Sequence, residues 1–229
     1  MIKLPEFTEQ SMYDAETNFN LMMSHERLAK FLVHWEVMKM VQSIPGCIVE
    51  CGVFKGTSFS RFALMRQILG GDFSARLLGF DVFSDHFPNT SFEQDKGQRE
   101  HWIKTAGGSS IGKKQLTEIL LNKGIDNFEL VEGDATVTIP EYCGKNQGLR
   151  ISLLNIDIDF VEPTITALEN FYPRVVPGGI ILLDNYGGFG SSGLSYHGDT
   201  YGIDKYFEGK CVRITKFPFA ARPAYIVKA

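Results

Sequence analysis

Two runs of strand-forming residues, Ile151 to Ile156 and Gly179 to Leu183, each break at their carboxyl end into acidic and amide side chains. The first continues as Asp157-Ile158-Asp159-Phe160-Val161-Glu162-Pro163-Thr164, and the second, one strand–helix–strand unit later, as Asp184-Asn185. This spacing restricts the fold, because strands joined through a helix run parallel, and open parallel sheets bind ligands at the carboxyl ends of their strands. Upstream, Ile48-Val49-Glu50-Cys51-Gly52-Val53-Phe54-Lys55-Gly56-Thr57-Ser58 repeats the layout of apolar run, glycine-bearing loop and helix. Together these segments point to a nucleoside cofactor beside a metal ion.

Hydrophobic periodicity extends the same architecture along the chain. Ser24-His25-Glu26-Arg27 opens an amphipathic helix through Leu28, Phe31, Leu32, Trp35, Met38 and Val41, which Ile44-Pro45-Gly46 stops. A strand at Cys47 to Cys51 follows, then a helix from Thr57 or Ser58 to Gly70-Gly71, and a strand from Arg76 to Phe80 that finishes at Asp81. Residues 83–108 are polar and read as a loop, of a length that suits a lid or binding segment. Next come a helix from Ser109 to about Lys123, a strand at Phe128 to Glu132, a short helix near Val137 to Cys143 and a strand at Leu149 to Ile156. A helix covers Ala167 to Tyr172, and Pro177-Gly178-Gly179 reads as a turn before the strand Ile180 to Leu183. After a glycine-rich tract, a last helix around Thr200 to Phe207 precedes strand-like ends at Val212 to Lys216 and Ala224 to Val227; paired as a hairpin, they would end the sheet antiparallel. The alternation predicts one α/β domain over 1–229, with right-handed crossovers, a helical extension over 1–45 and insert or lid loops at 83–108 and 187–198. Within that extension, residues 1 to about 20 are polar and only weakly periodic.

Bulk properties exclude several partners. A chain of 229 residues buries a core without disulfides, and its net charge of −4 does not suggest a nucleic-acid backbone as ligand. No apolar run approaches membrane-spanning length and Met1-Ile2-Lys3-Leu4-Pro5-Glu6 turns polar at once, so a soluble cytoplasmic protein without a membrane partner is expected. Cys47 and Cys51 are too far apart on one strand to bridge, and Cys143 and Cys211 have no metal or redox spacing, which predicts four buried thiols in a reducing compartment. The 18 Phe are read as core before substrate mouth.

At the first loop, Gly52 and Gly56 permit close backbone approach and Thr57-Ser58 supply donors at a helix N-terminus, as a nucleoside requires. Cys51 occupies the first glycine position of a dinucleotide fingerprint, which counts against NAD. Asp81 stands where an acid accepts from ribose hydroxyls, with a solvated turn as the alternative. Asp134 is either an adenine neighbour or the N-cap of the next helix. Asp157, Asp184 and Asn185 offer the few oxygens that Mg²⁺ takes from protein, and Asp159, on the same strand face as Asp157, either binds metal, orients a ligand or bonds to backbone. The alternative for the cluster is an acidic loop with an N-cap. His25, His34, His86, His101 and His197 are all candidates for a general base, with surface or core as the alternative for each; position on the insert favours His101 and His86, and position on the later tract His197. Arg27 and Lys55 read as solvated or structural.

These residues carry a family likeness. Glu26-Arg27, Val49 to Ser58, the Asp157-x-Asp159-x-x-x-Pro163-Thr164 block, Leu168 to Tyr172-Pro173, Pro177-Gly178-Gly179 and Asp184 with Tyr186-Gly187 resemble the macrocin O-methyltransferase (TylF-like) group of class I S-adenosylmethionine-dependent methyltransferases, over about residues 24 to 208. The resemblance implies a seven-stranded Rossmann-like sheet with helices on both faces and an antiparallel last strand. It also implies Mg²⁺-dependent transfer of a methyl group to a hydroxyl, often on a sugar of a natural product. By the same resemblance Glu50, Gly52, Thr57, Ser58 and Asp81 contact the cofactor, Asp134 neighbours the adenine, Asp157, Asp184 and Asn185 hold the metal, and His101 is the base. Asn185 departs from the second Asp common in this family and is similar to the metal set of catechol and caffeoyl-CoA O-methyltransferases, which keeps a phenolic acceptor open. A nucleotide-dependent oxidoreductase and a non-catalytic binding protein on the same sheet are the rival readings, and a homo-oligomer stays open.

Overall fold

The computed structural model describes residues 8–70, 75–85, 87–88, 90–105, 109–188 and 198–229. The elements in chain order are α1 (Glu9–Met22), α2 (His25–Val41), β1 (Cys47–Cys51), α3 (Thr57–Ile68), β2 (Leu77–Asp81), α4 (Glu93–Thr105), α5 (Lys113–Asn122), β3 (Phe128–Glu132) and α6 (Ala135–Lys145). They continue with β4 (Ile151–Ile156), α7 (Val161–Phe171), a 3₁₀ turn (Tyr172–Arg174), β5 (Val175–Leu183), a π turn (Gly198–Gly202), α8 (Ile203–Phe207), β6 (Thr215–Lys216) and β7 (Ala224–Val227).

The strands form one seven-stranded sheet in the order β3-β2-β1-β4-β5-β7-β6. β1 to β5 are parallel, β7 runs antiparallel to β5, and β6 runs antiparallel to β7. Period-two alternation sends neighbouring residues to opposite faces. Ile48, Leu77, Leu153 and Ile180 pack with Val33, Val37, Phe59, Phe62, Leu116 and Leu120 on one side. Val49, Leu78, Leu154 and Ile181 pack with Ile139, Leu168, Phe171, Ile203 and Phe207 on the other. The sheet is therefore covered by helices on both faces, and Phe59, Phe62, Phe83, Phe171 and Phe207 are core, whereas Phe54, Phe80, Phe87 and Phe160 line the cavity described below.

Several elements differ from the sequence reading. The insert contains a helix, α4, whose buried Asp95 accepts a hydrogen bond from the Val161 amide at 2.8 Å and so caps α7 from outside. Ser91 and Thr90, just before α4, hydrogen-bond to Glu162 of α7. Pro177-Gly178-Gly179 is not a free turn but part of β5. There the Gly178 amide donates to the Lys228 carbonyl and the Lys228 amide to that of Gly179, both at 2.8 Å. The surplus residues appear as a register shift against β4 between Ile151 and Leu153. The weakly periodic N-terminal segment forms α1, with a capping box of Thr8 and Ser11 but no buried residue.

Strand ends hand hydrogen bonds from one to the next: the Gly52 amide donates to Phe80, Asp157 to Cys51, and Asp184 to Ile156. The loops after β1, β2, β4 and β5 are thereby brought to one edge. Gly52, at φ +90°, lies so close to β4 that a Cβ there would meet the Asp157 carbonyl oxygen at 1.9 Å.

Candidate active site

A cavity of about 690 Å³ opens over the carboxyl ends of β1 to β4. Gly52 to Lys55, Thr57 and Ser58 form one wall, Phe80, Asp81, Gly133 and Asp134 another, and Asp157 to Phe160 the floor toward β5, while Arg27, Lys30 and Arg61 reach in from α2 and α3. Phe87, Pro88, Thr90 and Arg99 close it from the insert.

The loop after β1 is held in shape by Asp81. Its Oδ2 accepts from the Phe54 amide at 2.9 Å, and its Oδ1 accepts from the Phe83 amide at 2.9 Å and the Ser110 hydroxyl at 2.7 Å. Phe54 and Phe83 have φ of 48° and 49°, left-handed conformations that those bonds help to sustain. With three donors on a carboxylate that offers about four lone-pair positions, little capacity is left for a ribose. Asp134 caps α6, accepting from the Thr136 amide at 2.8 Å and hydroxyl at 2.7 Å, and at the same time lines the cavity. Glu50 is fully buried below the cavity and not on its wall. Burial pushes its carboxyl up to about 8 against the opposing pull of Ser58, Asn155 and Lys30, and Asn155 Nδ2 donates to it at 3.0 Å.

Asp157, Asp184 and Asn185 are brought together, but in a network that also contains Lys30, Asp159, Asp199 and Arg222. Lys30 Nζ lies 2.6 Å from Asp184 Oδ2 and 3.5 Å from Asp157 Oδ2. Asn185 Nδ2 faces Asp157 Oδ1 at 3.2 Å, Asp159 Oδ1 at 2.9 Å and Asp199 Oδ2 at 3.2 Å, while its Oδ1 accepts from Arg222 Nη1 at 2.9 Å. Carboxylate oxygens of Asp157, Asp159 and Asp199 lie within 4.8 Å of one another around that amide. Burial, then the neighbouring acids, raises Asp157 and Asp199 well above the ordinary carboxylate range, and burial raises Asp159. Burial acts the same way on Asp184, but Lys30, by charge and hydrogen bond, together with His34 and Asp157, outweighs it and holds Asp184 below its ordinary value. Lys30 is itself held above its usual range, because the two carboxylates outweigh its desolvation.

A divalent ion held by Asp157, Asp184 and Asn185 requires oxygen lone pairs converging on one point. The strand-end carboxylates instead share an ammonium, and Asn185 presents hydrogens. Rotating the Asn185 amide would set its oxygen against three acidic side chains and its NH₂ against a guanidinium, so its neighbours fix its orientation. In this arrangement the expected triad does not fit a divalent ion.

His101 lies on α4 but its side chain is outside the described residues, as are His86 and His197 altogether. Lys30 and Asp199 were not singled out from sequence. Lys30 had one signal, its place one turn after Arg27 on the helix that leads into the β1 loop. Asp199 had none, since it reaches the site only because Gly198 passes against Phe160, where a Cβ would meet backbone at 2.4 Å.

The chain matches the macrocin O-methyltransferase (TylF) family over residues 10–196. A curated relative from Streptomyces olivaceus, 8-demethyl-8-(2,3-dimethoxy-alpha-L-rhamnosyl)-tetracenomycin-C 4'-O-methyltransferase, is 29% identical over 152 residues, 64% of this chain and 55% of the relative. The chain thus spans about half the length of that relative. Among solved structures, the calicheamicin methyltransferase CalS11 superposes with a TM-score of 0.72 at 21% identity, covering 96% of this chain and 87% of the other. The O-methyltransferase NovP gives a TM-score of 0.69 at 18% identity, covering 87% and 79%. These likenesses show the fold, and the match over most of the sequence shows the family: the chain belongs to the macrocin O-methyltransferase family.

Proposed function

We propose that this protein transfers the methyl group of S-adenosylmethionine to a hydroxyl of a small molecule, a sugar or a glycosylated natural product. The observation that carries the reading is the continuous cavity from the glycine loop, Asp81 and Asp134 to the acids at the end of β4, room for a nucleoside cofactor and an acceptor side by side. Family membership supports it, as do the relative that methylates a rhamnosyl tetracenomycin and a second CalS11 structure described as a TDP-rhamnose 3'-O-methyltransferase.

In the reaction an acceptor oxygen lone pair attacks the sulfonium methyl carbon in line. The carbon–sulfur bond breaks with its electron pair going to sulfur, leaving neutral S-adenosylhomocysteine. Gly52 lets the loop backbone approach the cofactor, and Thr57 and Ser58 offer hydroxyls at the α3 N-terminus. The Asp157 and Asp159 carboxylates on the cavity wall orient the hydroxyl and receive its proton, with His101 of α4 as the alternative receiver. The Mg²⁺ expected from the resemblance supplies no step here. Among the described residues no helix is long and apolar enough to cross a membrane, and all four cysteines are free, in keeping with work in a reducing cytoplasm, but only Cys51 and Cys143 are buried as expected; Cys47 is half-buried and Cys211 exposed.

The test is thermal unfolding with S-adenosylhomocysteine and, separately, NAD. A ligand at a hundredfold over its dissociation constant adds about 2.7 kcal/mol, or a midpoint rise of roughly 5–10 °C. A rise with S-adenosylhomocysteine alone is expected, and a rise only with NAD sinks the reading. Asp157→Ala is expected to abolish methyl transfer while keeping that thermal response, and His101→Ala separates the two proton receivers.

A further inference from the structure

We propose that Lys30 is the resident cation of this active site: its ammonium takes the place of a divalent ion between the ends of β4 and β5, and methyl transfer proceeds without added metal. The inference rests on the methyltransferase reading above and adds a catalytic residue to it.

The position is the first argument. Lys30 Nζ bridges one carboxylate oxygen from each of the two strand ends, Asp184 at 2.6 Å and Asp157 at 3.5 Å, the same pair that a divalent ion would need. The remaining expected ligand is turned away from cation binding: Asn185 points NH₂ at the acids, and Arg222 holds its oxygen at 2.9 Å. A metal entering between Asp157 and Asp184 would meet a fixed positive charge within a few ångströms and lose part of its oxygen set.

The second argument is that Lys30 reaches the reacting space. It lines the cavity beside Asp157 and Asp159. An ammonium has three donors, and with one given to Asp184 while Asp157 lies at an ion-pair distance of 3.5 Å, a donor is available to an acceptor oxygen in the cavity. As that oxygen loses its proton, a preorganised cation stabilises the developing negative charge, the service a metal would otherwise give. The stem is held in place because α2 is anchored to the core by Val33, Val37, Met38 and Val41. Asp157 and Asp184 thus aim the lysine.

The test uses the full chain saturated with S-adenosylhomocysteine, with Mn²⁺ as the probe. Binding is read by loss of the free-ion paramagnetic resonance signal in wild type, Lys30→Met and Lys30→Arg. Wild type and Lys30→Arg are expected to bind no Mn²⁺ up to roughly 1 mM, and Lys30→Met to bind at least about tenfold more tightly, because a like charge has been removed from the site. With an acceptor that the protein methylates, chelator-treated wild type is expected to keep its rate. Lys30→Met loses about 100-fold in kcat at unchanged S-adenosylhomocysteine affinity, and Lys30→Arg recovers part of it.

Low-micromolar Mn²⁺ binding by wild type, unchanged in Lys30→Met, overturns the proposal. So does turnover abolished by chelator and restored by Mg²⁺. Failure of the methyltransferase reading is seen separately, as no S-adenosylhomocysteine response in any form, and the Mn²⁺ titration of the unliganded protein then still decides whether Lys30 excludes the ion.

Discussion

Acid lability should originate at His34. Its side chain is fully buried in α2, its ring packs tilted by 30° against Phe62 at a centroid distance of 4.7 Å, and neither ring nitrogen has a hydrogen-bond partner. Burial, reinforced by the Lys30 ammonium one turn earlier on the helix, lowers its pKa from 6.5 to about 3. A base depressed in the folded state binds fewer protons there than in the unfolded chain. Its contribution to stability is therefore complete above the unfolded value and is lost as pH falls from 6.5 toward 3. At about 1.4 kcal/mol per unit of difference, going from pH 7 to pH 5 costs about 2 kcal/mol, or roughly 4–8 °C in unfolding midpoint.

His34→Leu keeps a similar volume, removes the two unpartnered nitrogens and cannot titrate. The assay is urea unfolding of both proteins at both pH values. The acids are common to the two chains, and Asp184, whose charge interacts with His34, is held below its ordinary value with Lys30 beside it, so between pH 5 and pH 7 the double difference reports the imidazole. It should be about 2 kcal/mol, with wild type the more acid-sensitive. A double difference below about 0.5 kcal/mol refutes the reasoning, because it would mean that the ring is solvated or paired in the folded protein.

Three further expectations concern the cavity. Gly52→Ala places a Cβ at 1.9 Å from the Asp157 carbonyl oxygen on a backbone at φ +90°, so it should cost at least about 3 kcal/mol in denaturant unfolding; a loss under about 1 kcal/mol would mean that β1 and β4 part easily. Asp81→Ala releases the Phe54 and Phe83 amides and the Ser110 hydroxyl, and S-adenosylhomocysteine affinity by calorimetry should fall at least about tenfold, with unchanged affinity refuting its loop-holding role. Asp95→Ala uncaps α7 and should cost about 1–2 kcal/mol and speed hydrogen exchange of α4 amides ahead of the sheet; uniform acceleration would show that the insert is not held by this contact.

What the sequence revealed and what it concealed divide by the range of the interaction. β1, β2, β3 and the carboxyl-terminal half of β5 were legible because a short apolar run between glycine, proline and helix signals is a local pattern. The β1 loop was legible because a tight turn selects glycine locally, at Gly52 and Gly56. α4 was not, because Glu93 to Thr105 has almost no apolar stripe and its anchor, Asp95 on the Val161 amide, spans 66 residues. Pro177-Gly178-Gly179 has turn composition, and only the antiparallel return of Lys228 makes it strand.

The site follows the same division and shows why its chemistry was harder to read than its fold. Asp157, Asp159 and Asp184 announce themselves because acids at strand ends are informative wherever they occur. Their charge state depends on what meets them in space, and that is Lys30, 154 residues before Asp184, with Asp199 and Arg222 arriving from beyond the glycine-rich tract. Neither lysine on an amphipathic helix nor aspartate after a loop is unusual in sequence. A motif can therefore locate a cation site while leaving open which cation fills it. Here the deciding observations are two orientations: an ammonium between Asp157 and Asp184, which arises only when α2 packs on the sheet, and an amide turned NH₂-first toward the acids, which Asp157, Asp159, Asp199 and Arg222 fix.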